Sequence, residues 1–130
     1  MPKENDDAPF SLELEMRDGY FVAVSQGEIR TLEEYFRKVR AIVDTGLGSA
    51  VYRILLDERK LFTHLDAHDI AMVAKLLEEE GVPGYGVRLA CLYNPRCLDT
   101  HRLCETMYRN RSIIYRLFLD RESAVAWLKG

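Results

Sequence analysis

No stretch of these 130 residues is apolar for more than a few positions, and a membrane-spanning helix needs about 20. The chain is therefore expected not to be membrane-spanning. Cysteine is scarce. Cys91, Cys97 and Cys104 cannot all pair within one chain, so a disulfide scaffold is excluded and free thiols are expected. Neither charge sign dominates: 18 Lys and Arg stand against 21 Asp and Glu, for a net charge of −3. No basic run is long enough to make an obvious patch, which argues against a nucleic-acid partner. The opening MPKENDDAPF has no apolar centre and does not read as a signal peptide. A cytoplasmic location is the expectation. Catalytic signatures are missing too. No Ser-His-Asp or Cys-His-Asn pattern is present, and no Gly-rich phosphate loop follows a strand. The glycines of GVPGYG (81–86) precede a strand and read as a turn. These absences assign no catalytic residue and no cofactor, and the chain is expected not to be an enzyme.

What is present is ordinary globular material: 48% apolar and 30% charged residues, enough for one domain with one core. Residues 1–9 read as a flexible polar tail and 10–130 as the domain. FSLELEM (10–16) alternates like a strand, Arg17-Asp18-Gly19 reads as a tight turn, and YFVAVS (20–25) is its antiparallel partner. Thr31 and Glu34 form a capping box. After it Tyr35, Phe36, Val39, Ile42 and Val43 recur at helical spacing. Glu33 with Arg37 and Glu34 with Lys38 read as i,i+4 pairs on a solvated face. Gly46 or Gly48 is expected to end this helix.

AVYRILLD (50–57) reads as a strand covered on both faces. A helix follows from about Asp66 to Glu80, stopped at Gly81. VRLACLY (87–93), a helix over Asp99–Arg109, the strand IIYRLFL (113–119), and a short helix capped by Asp120 complete the chain. The order is ββαβαβαβα. It predicts an α/β fold with a mixed five-stranded sheet, the first strand antiparallel and the rest largely parallel, covered by about four helices.

Candidate ligand sets are incomplete. His64 and His68 are four apart, with Asp66 and Asp69 nearby, but the helix starts between them. Cys97, His101 and Cys104 would share one helical face only if Cys97 were helical, and Cys104 reads as a small buried thiol. No four-ligand pattern exists, so no metal is assigned. Asp57 ends its strand where open α/β sheets place ligands, yet without partners it reads as a cap for the following loop. Met72 and Met107 read as core, and Trp127 as the residue packing the last helix onto the sheet.

Three stretches carry a resemblance: GEIRTLEEYFRKV, ILLDERKLFTHLDAHD and YRLFLDRESAVAWL. In this order they resemble STAS domains, specifically the SpoIIAA-like group, the fold of anti-sigma-factor antagonists. The resemblance covers about residues 10–129. It implies a non-enzymatic regulatory or protein-interaction module. In that family a phosphorylatable Ser follows the Asp that opens the second helix. Here Asp66 holds the Asp position, Ala67 stands where the Ser would be, and His68 and Asp69 follow. The resemblance therefore implies the docking edge without the phosphate switch, Thr63 being the nearest hydroxyl. A protein partner is expected at an edge made by Asp57, Lys60, Phe62, Asp66, Ala67, His68 and Asp69, with Phe62 taken as an apolar residue in a polar loop. The alternative is a small apolar ligand or lipid held in a cleft between helices and sheet, as in lipid carriers of related α/β appearance. An internal cavity of several hundred Å³ is expected of a ligand pocket. A filled core with an apolar patch near the second helix is expected of a docking module. Either is compatible with a homodimer.

Overall fold

Gly19, at φ 84°, reverses the chain in a conformation that costs glycine little. The reversal joins β1 (Phe10–Met16) to β2 (Phe21–Ile29), paired antiparallel from Met16 opposite Phe21 to Phe10 opposite Gly27. The computed structural model describes residues 10–130, and the tail expected over residues 1–9 lies outside the described residues. α1 (Leu32–Ser49) opens at the expected capping box of Thr31 and Glu34. α2 (Ala67–Glu79) opens at Asp66, whose carboxylate accepts the Asp69 N–H at 2.9 Å. α3 (Leu98–Arg109) is entered through a 3-10 turn, Pro95–Cys97, and α4 (Arg121–Lys129) opens at Asp120. A second 3-10 turn, Val82–Tyr85, occupies the expected loop before β4.

β3 (Arg53–Thr63), β4 (Arg88–Leu92) and β5 (Ile114–Phe118) complete one sheet in the order β1-β2-β3-β4-β5, with every pair after the first parallel. Sequential parallel strands joined by right-handed crossovers put every connecting helix on the same face. Accordingly α1, α2 and α3 bury Tyr35, Val39, Ile42, Ile70, Val73 and Tyr108 in one core with one face of the sheet. α4, which follows the last strand, lies on the other face and closes a smaller core around Leu55, Leu92 and Leu128. Trp127 packs against Phe118 there, as expected.

One boundary and one burial differ from expectation. α1 does not stop at Gly46 or Gly48. It runs through both to Ser49, and Ala50 takes the left-handed cap at φ 55°. Gly46 is closely packed instead: a Cβ there would meet the Val51 carbonyl oxygen at 3.1 Å and the Phe21 ring at 3.6 Å. Met72, expected in the core, is 47% exposed.

The larger difference is β3, which runs on past Asp57 to Thr63. The β2–β3 register slips here: Val24 faces Asp57, but Gln26 faces Lys60, so β3 carries one extra residue at Glu58-Arg59. Such a bulge switches which face later residues take. Ile54, Leu56 and Glu58 point into the helix-side core. Beyond the bulge the inward residues are Leu61 and Thr63, while Lys60 is exposed. The charges of DERK resembled a loop because the alternation breaks at the bulge. Phe62 and Thr63 therefore sit in a strand, opposite Glu28 and Ile29.

The two helix glycines should respond oppositely to alanine. Gly48 has open space around its Cβ position, so Gly48→Ala should stabilise the domain by about 0.5–1 kcal/mol. Gly46→Ala should lower the melting temperature through its clash with Val51. Thermal denaturation of the two variants beside the parent checks both signs.

Candidate functional site

The bulge aims a carboxylate into the core. Glu58 is buried, and the buried ammonium of Lys38 on α1 meets its Oε2. Lys38 was expected on the solvated face with Glu34. It lies on the inward stripe instead, three residues from Tyr35 and four from Ile42. Glu34 is occupied by its own cap, accepting the Arg30 and Thr31 N–H groups.

His101 of α3 approaches the same carboxylate from the other side. Its Nδ1 lies 3.9 Å from Glu58 Oε1 and 3.7 Å from Cys91 Sγ. The Asn94 backbone N–H donates to Nε2 at 3.3 Å, which leaves the ring proton on Nδ1. The Asn94 side chain donates to the Leu61 carbonyl at 3.1 Å, tying the end of β4 to the extension of β3. Beside this group, the phenols of Tyr35 and Tyr108 share a short hydrogen bond, and Tyr108 stacks on Tyr115 at 5.3 Å. Tyr35 Oη is 3.7 Å from Cys104 Sγ.

Burial sets the electrostatics. It raises the three phenols and Cys91 well above their ordinary range and pushes Cys104 up to about 11, so both thiols stay protonated. Burial also lowers His101, against the pull of Glu58. For Glu58, burial acts upward, but Lys38 and His101 outweigh it and hold the carboxyl below its usual value.

These groups form the polar end of a cleft. α1 makes one wall through Val39, Ile42, Val43 and Leu47, and the sheet makes the floor through Leu56 and Leu89. Tyr52 and Tyr85 flank it with ring centroids 5.2 Å apart. An exposed ion pair, Arg40–Glu80 at 2.5 Å, joins α1 to the end of α2. The cleft encloses about 70 Å³. That is below the several hundred Å³ expected of a drug-sized pocket, and the core is not filled either.

The ligand atoms of Glu58, Cys91 and His101 lie within 4.8 Å of one another, a candidate metal triad. Two features oppose it. Lys38 already neutralises Glu58, and a histidine bound through Nδ1 needs to donate its other N–H, whereas here Nε2 accepts one. The expected sets are dispersed. Cys97 precedes α3 and is partly exposed, whereas His101 and Cys104 are buried with Cys91. His64 and His68 are exposed, and His64 Nε2 lies 3.8 Å from Glu28.

The expected interaction edge is only partly assembled. Asp57 alternates onto the α4 face, half-buried, and its carboxylate grips Arg59 at 2.8 and 2.9 Å rather than capping a loop. Lys60 is exposed and Phe62 half-buried. Asp66 caps α2, Ala67 is its first residue, and His68 and Asp69 complete the first turn. Phe62, Thr63 and His64 line an open groove with Pro95–Thr100. Sequence reasoning missed Lys38, Glu58 and the tyrosines. Lys38's place on the apolar stripe of α1 was the available signal.

No family model and no curated protein matches the chain. Among solved structures it is similar to an uncharacterized protein of the DUF3478 family, with a SpoIIAA-like fold, from Shewanella loihica PV-4. Identity is 17%, covering 92% of this chain and 93% of that one, with a TM-score of 0.56. The chain therefore has a SpoIIAA-like, STAS-type fold.

Removing one member of the buried pair strands the other. Lys38→Met or Glu58→Gln should each cost about 3–5 kcal/mol, and Lys38→Met with Glu58→Leu together should recover much of that loss. Urea denaturation of the three variants reads this out.

Acid should act in two windows. His101 protonates near pH 6.5 when unfolded and lower when folded. Between those values the unfolded chain binds more protons, so stability falls as pH drops. The Glu58 contribution is present above about pH 4.5 and lost as pH falls through its lower folded value. In urea titrations from pH 7.5 to 3, His101→Gln should flatten the upper window, while Glu58, still paired with Lys38, should keep the lower one.

Proposed function

We propose that this chain is a non-enzymatic regulatory binding module whose input is a small, largely apolar molecule held between α1 and the α2–α3 side of the cleft. The observation that carries this reading is an apolar cleft closed at one end by polar groups that satisfy one another. Lys38 neutralises Glu58, Tyr35 pairs with Tyr108, and His101 is held by Asn94. The thiols beside them are held protonated, which removes their nucleophilicity. The ion pair with Lys38 lowers the basicity of Glu58 and makes it a weak general base, and this supports a binding role over catalysis.

Regulation by phosphate at the start of α2 has no acceptor in this reading. Ala67 follows the Asp66 cap directly, and Thr63 is buried in β3.

A second reading, a protein partner, is favoured by the groove at the carboxyl end of the sheet. There β3 extends beyond its last β4 pair, Asp57 with Leu92, and presents the half-buried Phe62 beside Pro95–Thr100. The two readings combine naturally if an occupied cleft alters this edge.

Native mass spectrometry of the protein from its own cells tests the first reading. A retained small molecule is expected, and it should be lost in Val43→Trp, which narrows the cleft at a half-buried position. For the second reading, Phe62→Ala should weaken capture of a partner while leaving the melting temperature nearly unchanged. A large loss of stability with unchanged capture would make Phe62 a core residue.

A further inference from the structure

We infer that the cleft selects an uncharged ligand: a slender apolar chain ending in one hydroxyl or carbonyl oxygen, seated on the Tyr35–Tyr108 pair. This inference rests on the cleft being a ligand site and adds the chemistry of the ligand's head.

The first argument is charge. The formal charges at the polar end sum to zero. Lys38 and Glu58 cancel, and His101 is neutral because its Nε2 accepts the Asn94 N–H. A carboxylate or phosphate head would come to rest beside Glu58, and Lys38 would have to leave one anion to serve the other. An ammonium head would have to displace Lys38. In either case an ion leaves water without gaining a free counter-charge, which is the costly arrangement for buried charges. A neutral head disturbs nothing.

The second argument is hydrogen bonding. Two phenols in one O–H···O bond leave one phenol proton over. If Tyr108 donates to Tyr35, the remaining proton belongs to Tyr35, whose other neighbour is Cys104 Sγ at 3.7 Å, a weak acceptor. If Tyr35 donates to Tyr108, the proton is on Tyr108, and no other side chain within hydrogen-bond distance of that hydroxyl is recorded among the described residues. Both tyrosines line the cleft. A ligand oxygen offers that proton a full-strength acceptor.

The third argument is shape. About 70 Å³ between apolar walls admits a thin chain and excludes a bulky ring system. The way in lies past Leu47 and Tyr85, respectively 42% and 48% exposed, beside the glycine-bearing last turns of α1.

Isothermal titration of the full chain at pH 7.5 with hexanol, a hexanone, hexanoate and hexylammonium tests the inference. All four carry the same apolar length, so the head alone differs. Hexanol and the hexanone should bind about tenfold or more tighter than either ion. Tyr35→Phe with Tyr108→Phe together, which keeps the ring stacking on Tyr115 and removes both phenol protons, should weaken hexanol by about tenfold, with circular dichroism confirming the fold. Tighter binding of hexanoate or hexylammonium would overturn the neutral head and leave the cleft as a ligand site. Unchanged hexanol affinity in the double variant would overturn the seat on the phenol pair. Absence of heat from every probe, with the parent protein folded, would overturn the ligand site itself.

Discussion

A buried lysine facing a buried glutamate constrains everything around it. Lys38 on α1 and Glu58 on β3 are far apart in sequence, and neither can stay buried and charged without the other. Their contact holds α1 over the sheet at one rotation about its axis, because a turn of one residue would take Lys38 off the inward stripe. It also requires the β3 bulge that keeps Glu58 inward while restoring Leu61 and Thr63 to the same face. His101 and Asn94 extend the network from α3 to the ends of β3 and β4. One polar cluster thus reaches two of the three helices on this face and the carboxyl ends of the central strands.

That network explains why the face has a cleft at all. An all-apolar interior would be free to collapse, since apolar contact is not directional. Here the polar end sets the distance between α1 and α3, and the apolar residues beyond it line the gap that this distance leaves. Among the described residues the opposite face has no such insert. α4 closes on Val22, Leu55, Ala90 and Leu92 with Ala124 and Leu128, an apolar contact without a buried ion pair. The contrast between the two faces puts the functional interest on the helix-rich side.

The same geometry relates the cleft to the carboxyl edge of the sheet. Leu61 is held by Asn94, and Asn94 holds His101. Phe62, next along β3, lines the outer groove. Any change at the polar end therefore meets the edge through a short chain of hydrogen bonds. The similar SpoIIAA-like structure supplies the fold for this arrangement, and at 17% identity it supplies nothing about the cluster.

Local chemistry made much of the fold legible from sequence. Asp-Gly marked the hairpin, Thr31 with Glu34 opened α1, Asp66 opened α2, and Asp120 opened α4. Each signal is contained within a few residues, and together with alternation they determined the order ββαβαβαβα and the sheet that follows from it. The site was not legible. Glu34 and Lys38 have ideal spacing for a surface pair, and only the packing of α1 on the sheet shows Lys38 facing Glu58 instead. Glu58 sits in a run of charges that reads as loop until β2 pairs with it and exposes the bulge. The histidine and thiols were noticed as a helical set, yet the thiol beside His101 comes from β4, not from Cys97. A short-range pattern determines elements because capping and periodicity act within a turn or two. A buried charge is decided by what lies across the core, and that partner is named only when the chain has folded.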